Sequence, residues 1–252
     1  IYLVDNRQLA DQVVSQAAEI GISATPYNGK SSLNAEFRNG DTILVASYQA
    51  LFNGLSAFGK LHDVECEDVS IIVFDDAHSA FEAVRDAFTV TILADDDATL
   101  YKEICALFRQ DFEKIDRQST FDDFTDGVRS ISSEVLEVPF WSWHSNRKSV
   151  ERLLSRKARS LCHREENDIE SSLKFSWPLI KNELKYCRAM VSSKAFTITP
   201  YLPLVDLLPT YHKAPRRLFM SATFADDGAI IRAFDPEDDA SPVTISPHTL
   251  AG

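Results

Sequence analysis

The sequence is short of several things, and each shortage excludes a class of protein. No apolar run approaches the roughly 18 residues that a membrane-crossing helix needs, so no membrane partner is expected. The apolar start, Ile1 to Val4, is brief and lacks the basic residues of a signal peptide. The chain does not open on Met and reads as an internal fragment or a trimmed domain. Its four cysteines, Cys66, Cys105, Cys162 and Cys187, stand far apart and form no C-x-x-C pair. That spacing argues against zinc or an iron–sulfur cluster and for reduced thiols in a cytoplasmic protein. Basic residues are also few: 26 Lys and Arg against 38 Asp and Glu give a net charge of −12. Such a balance speaks against a simple basic nucleic-acid binder. A phosphate loop is missing as well. The pattern G-x-x-x-x-G-K-[ST] finishes correctly at Gly29-Lys30-Ser31, but its first glycine falls on Ala24, and Pro26 interrupts it.

What is present is a chain of 252 residues, 44% hydrophobic, with 16 Phe, enough for one large or two modest cores. No internal repeat or low-complexity tract appears. The sharpest stretch is 71–78, Ile-Ile-Val-Phe-Asp-Asp-Ala-His. Ile71 to Phe74 have no alternating polar position and read as a strand buried on both faces. Asp75 and Asp76 follow at its end. In open α/β sheets the ligand crevice lies at the carboxyl ends of the strands. Paired acids there suit Mg²⁺ binding and orientation of a water toward a phosphate. A buried strand ending in a solvated acidic turn is the plainer reading.

Other strand ends carry polar groups too. Tyr2 to Val4 reads as a strand, Asp5 to Gln8 as a turn, and Leu9, Val13, Ala17 and Ile20 as one face of a helix stopped by Gly21. Ile22 to Tyr27 is a short strand. Ile43 to Ala46 is another, followed by Ser47 and Tyr48, the latter suited equally to a ligand contact or to packing on the sheet edge. Arg217 to Met220 forms the last buried strand, ending in Ser221-Ala222-Thr223, and Val243 to Ile245 a final strand beyond it.

Between 79 and 213 the apolar spacing is largely helical. Thr89–Leu93 and Ala195–Thr199 read as extended, 118–133 as a loop or broken helix, and Val138–His144 as extended and aromatic. Helices are expected from about Arg147 and over Ile169–Val191. Residues 147–188 alone are net basic, with 11 Lys and Arg against 6 Asp and Glu. Lys148, Arg152, Arg156 and Arg159 share one helical face, and Trp141 and Trp143 precede it. Basic groups meet phosphates, and aromatics stack on unpaired bases. The alternative is a solvated helix face with tryptophans in the core.

Three of these strand ends, in this order, resemble motifs Ia, II and III of superfamily 2 DEAD/DEAH-type helicases. The chain is similar to a fragment of their first RecA-like domain, over 1–78 and 214–252, with a mainly helical insertion at 79–213 like that of XPD-type helicases. The resemblance implies an α/β, RecA-like P-loop NTPase fold with a parallel sheet that lacks its phosphate-loop strand. It implies ATP and Mg²⁺ as cofactors, Asp75 as the metal residue, Asp76 as the catalytic base and His78 as the link to the coupling motif Ser221, Ala222 and Thr223. Arg7, Gln8, Ser47 and Tyr48 would touch nucleic acid, with single-stranded DNA the preferred guess. A second RecA-like domain of the parent chain would be a partner. The family usually has Glu where this chain has Asp76. Motif I and the later motifs with the arginine finger are absent, so the fragment alone is not expected to hydrolyse ATP. The competing reading is a catalytically inactive, helicase-like module that binds nucleic acid or protein.

Overall fold

Two sheets organise the computed structural model, which describes residues 1–59, 66–126, 134–161, 172–221 and 227–234. The first is parallel, with strand order β2-β3-β1-β4-β9. Its strands are β1 (Tyr2–Val4), β2 (Ala24–Pro26), β3 (Ile43–Ser47), β4 (Ile71–Phe74) and β9 (Arg216–Phe219). Parallel neighbours need crossovers. Helix α1 (Arg7–Glu19) supplies the first, α2 (Ala35–Asn39) the second, and α3 (Tyr48–Leu51) opens the third. This parallel sheet gives the α/β fold class expected from the sequence.

One face of the sheet packs against the main core. Leu3, Leu44, Ile72 and Phe74 are all completely buried. Phe74 is the hub of this face: its ring lies 4.4 Å from Phe219, 5.3 Å from Phe234 and 6.2 Å from Tyr48. The other face is covered by α1 over β1, β2 and β3, where Val4, Ala10 and Val45 form a small cluster with Ala24 packed against it. Beyond α1, Ile71 and Leu218 are exposed. β4 is therefore not buried on both faces, because the helix that shields its neighbours does not reach it.

β4 and β9 are hydrogen-bonded neighbours, from Ile71↔Arg216 to Phe74↔Phe219. The stretch expected as the insertion, 79–213, lies between them in sequence. It is helical by residue count, as expected, with α4 (Ala77–Ala87), α5 (Ala98–Ala106), α6 (Arg109–Glu113), α7 (Gln118–Thr125) and α8 (Phe140–Leu161). It also holds an antiparallel sheet ordered β5-β8-β7-β6, built from β5 (Val90–Leu93), β6 (Leu136–Glu137), β7 (Cys187–Val191) and β8 (Ala195–Pro200).

β5 and β8 match the extended stretches read from sequence. β7 does not, since 187–191 lies inside the expected helix Ile169–Val191. There the chain runs through a π-helical turn (Ser172–Ser176) and two short helical pieces before extending. Cys187, Ala189 and Val191 alternate into the core, and pairing along all of β7 with β8 overrides the local helical spacing. Likewise 138–144 is not extended throughout, because α8 begins at Phe140. α7 supplies the helical part of the stretch read as a loop or broken helix. The expected C-terminal strand at 243–245 lies outside the described residues.

The insertion is fastened to the parallel sheet. Gly54 N–H donates to Phe175 C=O at 2.8 Å, and Thr210 Oγ1 donates to Phe58 C=O at 2.6 Å. Within it, Asp97 caps α5 through the Leu100 N–H and pairs with Lys157 on α8 at 2.7 Å. Burial alone would raise the Asp97 carboxyl, but the Lys157 and Leu100 bonds outweigh it and hold the group below its usual value. Asp111 is held low by Lys114 and by the Ser142 hydroxyl of α8.

Two outcomes follow from these contacts. A Cβ on Gly54 would sit 2.6 Å from Pro178 Cβ and 2.9 Å from Phe175 O. Gly54→Ala is therefore expected to cost about 2 kcal/mol by overpacking, read as a lowered melting temperature. Asp97 and Asp111 have depressed folded pKa values, so their stabilisation is complete above the unfolded value of 3.8 and is lost as pH falls through the folded values. Thermal melts of the wild type should drop more steeply below pH 4 than those of Asp97→Asn, in which one of these carboxylates is gone.

Candidate functional site

The carboxyl ends of β1, β3, β4 and β9 bring the expected site residues to one edge of the parallel sheet. After β1, Asn6 accepts the Leu9 N–H and starts α1, leaving Arg7 and Gln8 exposed. Arg7 donates to Asn28 Oδ1 at 2.9 Å. After β3, Ser47 is half-buried, while Tyr48 is buried. Tyr48 Oη donates to the Asp76 carbonyl at 3.1 Å and accepts the Asp76 N–H at 3.2 Å. A side chain so placed is a support for the acidic turn and has no free face for nucleic acid.

β4 stops because Asp76 takes extended geometry and caps α4. Its Oδ1 accepts the His78 N–H and its Oδ2 accepts the Ser79 hydroxyl, each at 3.0 Å. Both oxygens of the expected base are thus engaged in a cap. Asp75 is half-buried, and its N–H donates to Leu3 C=O at 3.0 Å. Tyr2 Oη donates to Asp75 Oδ1 at 2.5 Å. Burial, then the bond to Asp75, raises the Tyr2 hydroxyl above its ordinary range. Burial, despite the Asp76 backbone bond, raises Tyr48 to about 12. Both phenols are therefore neutral donors at physiological pH.

His78 and Ser221 meet across the β4–β9 pair. His78 Nδ1 lies 3.1 Å from Ser221 Oγ, although the residues are 143 apart in sequence. The strand ends are locked beside them: Met220 N–H donates to Phe74 C=O at 3.0 Å, and Ala77 N–H to Met220 C=O at 2.8 Å. Ala222 and Thr223 lie outside the described residues.

The acidic edge fits a hydrated cation shared with a phosphate. Among the described residues no three His, Cys, Asp or Glu side chains form a closed metal cage. Mg²⁺ does not need one, since it keeps several waters and takes one or two carboxylates plus substrate phosphates. Asp75 has one oxygen tied to Tyr2, and its Oδ2 accepts no hydrogen bond from a described residue. Lys30, the chain's one Gly-Lys-Ser lysine, stands exposed on a short 3₁₀ turn after β2.

A second candidate surface lies on α8. Trp141, Lys148, Arg152, Arg156 and Arg159 are all exposed on the same side of this 22-residue helix. The opposite side buries Trp143, Val150 and Leu154. Trp143 is therefore a core residue: it stacks on Phe108, and its Nε1–H donates to Leu184 C=O at 3.0 Å. Of the tryptophan pair only Trp141, 53% exposed, can meet a base. Beside the basic row runs a groove of about 830 Å³ between α5 and α8, floored by Leu107 and Leu153. Glu103 on α5 already pairs with Arg156 at 2.8 Å.

Sequence reasoning missed Tyr2 and Glu103 as site residues. Tyr2 carries no motif signal of its own, and only the strand register Tyr2↔Val73 sets it beside Asp75. Glu103 sits in a different helix, and nothing in the spacing of α8 points to it.

No family model and no curated protein matches the chain in sequence. Among solved structures it is similar to that of S. tokodaii Xpd4, at 17% identity and a TM-score of 0.46, over 87% of this chain and 47% of that one. It is also similar to an apo structure of XPD, at 12% identity and a TM-score of 0.42, over 86% of this chain and 44% of that one. The chain thus spans under half the length of each.

If α8 carries a strand, Lys148→Gln, Arg152→Gln and Arg159→Gln together should reduce the slope of log affinity against log salt by about 2. Glu103→Gln should tighten binding by freeing Arg156. Titration of fluorescent single-stranded DNA at several salt concentrations checks both, and an unchanged slope refutes the track.

Proposed function

We propose that this chain is the first RecA-like half of an ATP-dependent nucleic-acid helicase or translocase, with single-stranded DNA passing along α8 of the insertion. The observation that carries the reading is the 3.1 Å contact between His78 and Ser221. It joins the strand end bearing the acids to the strand end bearing the small hydroxyl residues. A motor needs such a joint, because a change at the phosphate must be felt on a neighbouring strand.

The roles divide by geometry. Asp75, with one oxygen held by Tyr2, is the residue for the metal, and Mg²⁺ bound there would neutralise charge on the phosphates. Asp76 is the residue for the attacking water. As a cap it already receives a hydrogen bond on each oxygen, from the His78 N–H and from the Ser79 hydroxyl. Glu at this position would reach a methylene further past the cap. The capped Asp76 is also what favours the second reading, an inactive module that binds nucleic acid without hydrolysis. Exposed Arg7 and Gln8, at the start of α1, are placed for a backbone phosphate.

ATP hydrolysis by the intact parent chain, with and without single-stranded DNA, separates the readings. The motor is expected to be stimulated by DNA and to lose activity in Asp75→Ala. Asp76→Ala should lower the rate at least about 100-fold, and Asp76→Glu should raise it. Absence of hydrolysis in wild type and in Asp76→Glu would establish the binding module instead.

A further inference from the structure

We propose that Tyr2 is a positioning residue that fixes the carboxylate of Asp75 for a divalent cation; this rests on the metal role given to Asp75 above. Tyr2 lies opposite Val73 in the β1–β4 register, so its side chain emerges on the face shared by Val73 and Asp75. From there the phenol reaches one step along β4 and donates to Asp75 Oδ1 at 2.5 Å.

The bond does two things at once. An aspartate has two side-chain torsions, and a fixed donor on Oδ1 removes the freedom of the second. Oδ2 is then the oxygen presented to a cation or its water shell. The phenol does this without bringing charge. A Lys or Arg in the same place would hold the carboxylate equally well but would repel the cation. A shorter hydroxyl on β1 would not span the distance. The backbone of Asp75 is already fixed by β1 through its N–H to Leu3 C=O, at 3.0 Å. One strand therefore sets both the main chain and the side chain of this residue. Tyr48 plays a different part, since it grips only the main chain of Asp76.

Mn²⁺ serves as a paramagnetic stand-in, titrated into the intact parent chain with a non-hydrolysable ATP analogue and followed by electron paramagnetic resonance. Tyr2→Phe keeps the ring and removes only the donor. It is expected to weaken Mn²⁺ at least about tenfold, as loss of a partner behind a metal ligand does. Metal-free affinity for the analogue and the melting temperature should stay put. In an Asp75→Ala background Tyr2→Phe should have no further effect on Mn²⁺, because the phenol acts only through that carboxylate. Unchanged Mn²⁺ affinity in Tyr2→Phe, with wild type binding normally, would overturn the inference and leave the function standing. An equal Mn²⁺ loss in the Asp75→Ala background would overturn it too. A wild type that binds no Mn²⁺ with the analogue would overturn both.

Discussion

The pairing of β4 with β9 is the constraint on which the site depends. Their ladder runs from Ile71↔Arg216 to Phe74↔Phe219, and it delivers Asp75 and Ser221 to the same end of the sheet. Phe74 and Phe219 stack beneath that end at 4.4 Å and keep water from the ladder. The contact of His78 with Ser221 is a result of this register. A slip of one residue would turn Phe219 out of the core, so the hydrophobic face fixes the register and the polar contact inherits it.

The acidic turn is held from three sides. β1 supplies Tyr2 to one carboxylate, Tyr48 grips the next residue's backbone, and α4 engages the second carboxylate as its cap. An Asp that caps a helix also ends the strand before it, so structure and chemistry compete for the same two oxygens. This is a narrower compromise than a Glu would face, whose longer side chain can leave the cap without moving the backbone. The insertion shows a similar division on α8, where one side packs through Trp143 and the other stays charged.

β3 and β4 of the parallel sheet were legible because they are short apolar runs with a polar residue at each end. β4's exposed face was not, since Ile71 looks the same whether or not a helix covers it. The antiparallel sheet was half legible. β8 has alternation and β-branched residues, whereas Cys187 to Val191 carries little strand preference and extends only because β8 lies beside it. On α8 the basic face followed from spacing alone, but the fate of the two tryptophans turned on where the helix begins. Starting it at Phe140 puts Trp143 on the buried side and Trp141 on the open one. Tyr2 shows the limit most clearly: its importance lies in a register between strands far apart in sequence, which no local pattern encodes.

The placement of the insertion bears on the cost of closing the parallel sheet. His78 and Ser221 are 143 residues apart, and the entropy of closing a loop rises by about 0.6 kcal/mol with each doubling of its length. A chain between them that is compact, with its own antiparallel sheet, returns its two ends to each other at little further cost. The β4–β9 pairing, and with it the end of the sheet where the two acids stand, thus draws on the compactness of a second sheet with which it shares no strand.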